Sequence, residues 1–400
     1  MASSRSRALS PARRGISHLK PHITGVIPKP RAFFSAARDL ARSFHETDSR
    51  DLNHHIPSKL NRSHRSSNIR TYNLCLLGYG NVNRTLVRLL KDKSAELKQR
   101  QIDYKITGIA SRRLGWLADH AGINFGPDGM PVSTNSKSSN VLDWLSASKA
   151  DILFEATSLN IDNGQPAIGH IRAALEFGAH AITANKGPIV FAHVELSALA
   201  KQKGKHFLFE STVMDGVPIF SLWGRTLPAV RLLAIRGVLN STTNVMLTGM
   251  EEGLSFDDSL KQAQKLGIAE TDASADIEGW DATVKLTALV NVLMGVRLHP
   301  RDVARQGIQN LAAEEVRNAR ASGQPYKLVC SARRTEIGVD AFVRPEQVPL
   351  TDPLALVTGT SSIVQFKTDV LPTLTITEEN PGVYTTAYGM LADFIRAVSE

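Results

Sequence analysis

The sequence predicts an α/β protein whose first domain is built on a doubly wound parallel sheet. Three observations carry that reading. A short apolar run, Leu74 to Leu77, ends in a glycine-rich turn and passes straight into helical spacing at Val82, Leu86, Leu89 and Leu90. Further apolar runs, in "YKITGIASRR", "ADILFEATS" and "GAHAITANKGPIV", each end in polar residues. Strands of an open parallel sheet do this where their carboxyl ends line a ligand crevice. Finally, 400 residues at 42% apolar content can form two cores. No apolar run approaches the roughly 18–20 residues of a membrane span.

The chain opens on a basic leader. Residues 1–70 hold 14 Lys and Arg against 4 Asp and Glu, whereas the rest holds 33 against 34. The net charge of +9 therefore belongs to the leader, and the body has no excess charge to form a basic nucleic-acid groove. Within "RAFFSAARDLARSFH", Phe33, Ala37, Leu40 and Phe44 form one helical stripe, with Arg31, Arg38 and Arg42 off it. That is the profile of a transit peptide, which would send the protein to the mitochondrial matrix or another organelle. A disordered basic tail on a cytoplasmic protein fits the same composition. "HHIPSKLNRSHRSSNIR" reads as linker.

The turn that follows is "GYGNVN". Gly78 permits the tight bend, and Gly80 lets backbone approach a pyrophosphate at the N-terminus of the next helix. A Rossmann dinucleotide site is therefore expected at Gly78, Tyr79, Gly80, Asn81 and Val82. Asn83 stands where the fingerprint has its third glycine. It would splay the helix or contact the phosphate. At the end of the second strand an NAD enzyme usually carries Asp or Glu for the ribose hydroxyl. Here stand Ser111, Arg112 and Arg113, and guanidinium groups suit a 2′-phosphate. NADP is expected over NAD. Thr157 with Ser158, and Asn185 with Lys186, end the next two strands toward the crevice.

Two cysteines, Cys75 and Cys330, have no partner at metal spacing and form no disulfide framework. Later in the chain, "AETDASADIEGWDATVKLTALV" packs five carboxylates into a dozen positions. It then turns apolar around one lysine, Lys285. Asp281 and Lys285 are spaced i, i+4 and share a helix face.

Taken with "FLFESTVMDGVPIFS", "LLAIRGVLNSTTNVMLTGM" and the closing "GVYTTAYGMLADFI", these blocks resemble the homoserine dehydrogenase family over roughly residues 71 to 399. The form resembled is the short, monofunctional one. The resemblance implies a Rossmann domain over 71–205, a mixed α/β catalytic and dimerisation domain over 206–375, and a C-terminal segment, 376–400, returning to the Rossmann domain. It implies interconversion of L-homoserine and L-aspartate 4-semialdehyde by a homodimer. Glu270, Asp276 and Asp281 then fall at substrate-binding positions, and Lys285 and Lys186 at proton-transfer positions. Carboxylates suit the substrate's ammonium group, and a lysine whose pKa is lowered by partial burial can take the hydroxyl proton. Either lysine can carry that transfer, with Lys285 favoured. "ESTVMDGVP" resembles the family's loop for a monovalent cation such as Na+, with the Glu210 side chain and the carbonyls of Val213, Asp215 and Val217 as ligands.

Three rivals are weighed. A semialdehyde dehydrogenase working through an acyl-thioester needs a nucleophilic cysteine in the second domain. A same-family enzyme with a shifted substrate, and a non-catalytic NADP-binding homologue, are the others.

Overall fold

The computed structural model of the protein describes residues 69–132 and 136–399. The leader reading falls outside these residues, apart from Ile69 and Arg70. Among the described residues, no helix is long and apolar enough to cross a membrane.

The first sheet is assembled as expected from buried apolar runs. Its strands are β1 (Arg70–Leu77), β2 (Ile102–Ser111), β3 (Gly115–Ala118), β4 (Ser136–Lys137), β5 (Ile152–Glu155), β6 (His180–Thr183) and β7 (Phe207–Leu208). They lie in the order β4-β3-β2-β1-β5-β6-β7. The run from β2 through β1 to β7 is parallel, and β3 and β4 add an antiparallel edge. The chain leaves β1 for β2 on one side and returns to β5 on the other. The crevice between the carboxyl ends of β1 and β5 is thus a topological switch point, where such sheets bind ligands.

The second sheet is mixed. It holds β8 (Leu232–Val238), β9 (Ala304–Arg305), β10 (Tyr326–Arg334), β11 (Val339–Gln347), β12 (Ser362–Thr368) and β13 (Leu374–Glu378), in the order β13-β12-β8-β10-β11-β9. Neighbours are antiparallel except β11 and β9. Against it packs the helix Trp280–Leu289, with Ala282, Val284, Leu286 and Leu289 all buried. A helix buried on most sides suits the apolar run seen in the sequence. Asp281 and Lys285 are its charged exceptions.

The last helix, Val383–Ser399, crosses back to the first sheet. Phe394 meets Tyr72 and Phe154 edge-on, each at 6.0 Å between ring centroids. On its way the helix packs against the loop after β7. A Cβ on Gly216 would stand 2.4 Å from the Thr385 carbonyl oxygen, so the two backbones touch there.

Candidate active site

The turn after β1 is shaped by two glycines with opposite reasons. Gly78 has φ +81°, and a Cβ there would lie 2.4 Å from the carbonyl oxygen of Ala156. Only glycine fits, because the turn presses against the end of β5. A Cβ on Gly80 would meet no atom within 4 Å. That open face looks onto a cleft of about 680 Å³ lined by Gly78, Gly80, Ser111, Arg112, Arg113 and Thr157. Asn81 and Val82 begin the helix Asn81–Asp92, which opens at the same turn. Helix N–H groups, space over Gly80 and cations at the rim suit a dinucleotide. Arg112 and Arg113 are exposed and have no carboxylate partner among the described residues.

Two side chains of the turn make further contacts. Tyr79 lines the cleft with Gly78 and Gly80 and is anchored beyond the turn, its hydroxyl donating to Gly129 O at 2.9 Å and its ring beside Phe125. Asn83 neither splays the helix nor reaches toward a phosphate. It is buried, and its Nδ2 donates to the carbonyls of Leu77 and Gly78 at 3.1 Å each. The amide ties helix to strand, replacing the close glycine contact with hydrogen bonds.

Between the two strand ends sits a group the sequence reading missed. Glu155 closes β5 fully buried, and burial pushes its carboxyl above the usual range. Thr157 donates to Oε1 through its N–H at 2.8 Å and also through its hydroxyl, and the Thr183 hydroxyl donates to Oε2 at 2.6 Å. Thr183 Oγ1 in turn accepts from Asn185 N at 2.9 Å. β6 ends at Thr183, so Lys186 does not end a strand as expected. It is the first residue of a short helix, Lys186–Phe191, capped by Asn185, whose Oδ1 accepts from Gly187 N at 2.9 Å. One buried acid therefore sets both Thr157 at the cleft and the turn that carries Lys186.

Lys186 points to the second domain's buried helix. Its Nζ lies 3.3 Å from Asp281 Oδ1, while Lys285 Nζ lies 2.9 Å from Asp281 Oδ2. Lys285 also donates to Leu239 O at 2.7 Å, just past β8. Asn240 joins the group, donating to Asp276 Oδ1 at 2.6 Å and Asp281 Oδ2 at 3.0 Å. The three charged side chains Lys186, Asp281 and Lys285 are each about 20% exposed, enough to face a crevice and too little to be well solvated. Burial pushes the Asp281 carboxyl up, but Lys285 and then Lys186 outweigh it and hold the group well below the usual carboxylate range. Burial, then Asp281, raises Asp276.

Lys285 reverses the expected sign. Burial lowers its pKa, but Asp281, with smaller help from Asp215 and Asp276, more than offsets this and leaves it raised. The ammonium is held charged at neutral pH. Glu270 is not drawn into this group. It is exposed, and its side chain has no hydrogen-bond or ion-pair partner among the described residues.

In the loop after β7, Met214 and Asp215 both have positive φ, 54° and 51°, a rare conformation for non-glycine residues. The strain is tied down from outside: the Thr386 hydroxyl donates to Asp215 Oδ1. The Glu210 carboxylate is engaged within the fold. Its two oxygens accept from Phe220 N at 2.6 Å and Ser221 N at 2.9 Å at the start of the helix Ile219–Arg225, and Arg396 stands 3.6 Å off. Val213 and Val217 offer backbone carbonyls, and Val217 O already accepts from Ile219 N at 2.8 Å. Both cysteines are buried, and burial pushes both thiols up to about 12. Neither is a nucleophile, which removes the thioester rival.

A switch-point nucleotide cleft beside paired lysines and an ionised aspartate defines a dinucleotide-dependent oxidoreductase. Comparison with known proteins names the family. The homoserine dehydrogenase profile matches residues 218–395, and the profile of that family's NAD-binding domain matches 78–210. The NAD(+)-dependent homoserine dehydrogenase of Pseudomonas canavaninivorans is 34% identical over 81% of this chain and 95% of its own. The homoserine dehydrogenase of Sulfurisphaera tokodaii is 36% identical over 80% and 97%. A hyperthermophilic archaeal homoserine dehydrogenase mutant solved with NADPH superposes with a TM-score of 0.68, at 27% identity over 82% of this chain and 98% of that one. The chain belongs to the homoserine dehydrogenase family and is an NAD(P)-dependent oxidoreductase.

Proposed function

We propose that the chain interconverts L-homoserine and L-aspartate 4-semialdehyde, with NADP preferred to NAD, and that Lys285 is its proton-transfer group. The observation that carries this reading is the Lys285–Asp281–Lys186 cluster, two cations bridged by one carboxylate. Gly78, Gly80 and the start of the helix Asn81–Asp92 would hold the pyrophosphate, with Arg112 and Arg113 on a 2′-phosphate. The bound nucleotide supplies or accepts the hydride.

The protein's own part is proton and charge management. Because Lys285 is held charged, it is poised as an acid, giving a proton to the semialdehyde's carbonyl oxygen during reduction. Lys186, sharing Asp281, would stabilise negative charge on the same oxygen. Asp281 keeps both amino groups aimed and holds Lys285 charged. Asp276 and Glu270 are substrate-binding candidates, Asp276 through its link to Asn240. For a monovalent cation, the carbonyls of Val213, Asp215 and Val217 are the remaining candidates, since Glu210 caps a helix. A homodimer formed through the second sheet belongs to the same proposal, and light scattering tests it.

Two measurements test the reading. Purified protein should form NADPH in a homoserine-dependent way at alkaline pH, and its failure to do so overturns the assignment. The two directions should also respond oppositely to pH. Reduction needs charged Lys285, so its rate should hold through neutral pH and fall only as pH rises through a pKa above the ordinary lysine value of about 10.4. Oxidation needs the neutral amine, so its rate should climb over the same rise. A reduction rate already falling between about pH 7 and 8 would place the titration on another group.

A further inference from the structure

We propose that Glu378 is a receptor for the ammonium group of the substrate. The proposal rests on the homoserine reading above and adds a residue that neither its sequence spacing nor the expected site residues pointed to.

Strand geometry brings Glu378 to the cluster. On β13, Leu374, Ile376 and Glu378 alternate onto one face, and the first two pack on the second domain's core. Glu378 is therefore turned to the core side at the end of its strand. Register sets its level: Glu378 pairs with Ser362 of β12, and Ile363 pairs with Val238 of β8. Leu239 stands one step past Val238, level with Ser362. Its carbonyl accepts the Lys285 ammonium at 2.7 Å. Two strand spacings of about 4.8 Å thus separate Glu378 from the backbone that holds Lys285.

Four acids of this region, Asp281, Asp276, Asp215 and Glu210, already have partners. Asp281 Oδ1 faces Lys186, and its Oδ2 faces Lys285 and Asn240. Asp276 Oδ1 accepts from Asn240, Asp215 Oδ1 accepts from Thr386, and Glu210 caps a helix. Glu378 Oε2 is buried and has no hydrogen-bond partner among the described residues. Burial and then Asp215 push this carboxyl up to about 8, with Lys285 pulling the other way. That is the state of an acid short of positive charge. An ammonium brings three donors and a full charge, and it relieves the cost of a buried, unpaired oxygen. The lysines answer the opposite end of the problem, the developing oxyanion, so the two charges of the reaction are met by separate groups.

The test is Glu378→Gln in the full chain, assayed with homoserine and with 4-hydroxybutanoate, which is homoserine without its ammonium group. If turnover of the latter is too slow to read, it serves as a competitive inhibitor. KM for homoserine should rise roughly 10- to 100-fold, the worth of one charge-assisted hydrogen bond, while KM for the nucleotide stays put. Discrimination between the two compounds should narrow by the same factor. That ratio is independent of how much of the variant folds, because both rates scale with the same active enzyme. A variant whose discrimination and homoserine KM stay within about twofold of wild type overturns the proposal. Wild type inert toward homoserine overturns the functional reading, and this proposal with it.

Discussion

The two halves of the site handle charge in opposite ways. Around the nucleotide cleft the working features are backbone: a forced turn at Gly78, an open face at Gly80 and helix N–H groups, with exposed arginines only at the rim. Around Asp281 the working features are side chains, locked by hydrogen bonds to Leu239 and Asn240 and largely hidden from water. Shape suffices to hold a large ligand that is bound the same way throughout the reaction. A proton that must move at one atom needs groups fixed in place before the substrate arrives. The halves therefore predict different kinds of damage.

The largest effect should come from Lys285. Lys285→Ala should lower turnover by about 10² to 10⁴, the usual worth of a positioned proton-transfer group, with nucleotide binding intact. Circular dichroism and NADPH titration check that the domain survives, because the change leaves Asp281 with Lys186 as its only ion-pair partner among the described residues. A folded variant with near-normal turnover would move the role to Lys186.

The glycine pair gives a smaller and sharper contrast. Gly78→Ala should cost the fold at least about 1–2 kcal/mol from its positive φ alone, and more from the contact with Ala156. Gly80→Ala should leave the melting temperature nearly unchanged and raise KM for the nucleotide, since the new methyl enters the cleft. If both variants melt early, or neither affects the nucleotide, the division between fold and ligand at this turn is wrong.

What could be read from the residues beforehand follows the range of the interactions. The turn was legible because the demand on Gly78 and Gly80 is local. Asp281 and Lys285 were legible because i, i+4 spacing survives any tertiary setting. Lys186 came into view through the polar "ANK" and the family resemblance, but its place at a helix start was not visible. Glu155 was lost inside an apolar run, because Thr183, which holds its Oε2 and leads to Asn185, meets it only when two strands align. Glu378 sits in a polar stretch with no spacing signal at all, and strand register alone brings it to Lys285. The sign of the Lys285 shift was missed for a related reason. Burial can be guessed from an apolar run, but the strength of the opposing field depends on how closely Asp281 and Asp276 of the same stretch, and Asp215 of a remote loop, approach the ammonium in the fold.

The smallest effect, and the one that bears most on the comparison, concerns the cleft's rim. Arg112 and Arg113 are exposed and lack a carboxylate partner among the described residues, so removing both should barely change stability. Replacing both by Ala should weaken NADP by roughly tenfold, the low end for a charge-assisted contact because water competes at an exposed site. NAD, which has no 2′-phosphate, should be nearly unaffected. The Pseudomonas canavaninivorans relative is NAD(+)-dependent, whereas the archaeal structure holds NADPH, so membership of the family leaves the preference open. The measurement is kcat/KM with each nucleotide for wild type and double variant, at low and high salt. A contact to phosphate should make the NADP preference shrink as salt rises, and that slope should vanish in the variant. Equal loss with both nucleotides, or wild type that already prefers NAD, would make these two arginines solvated surface groups and leave the cleft selecting its ligand by backbone shape alone.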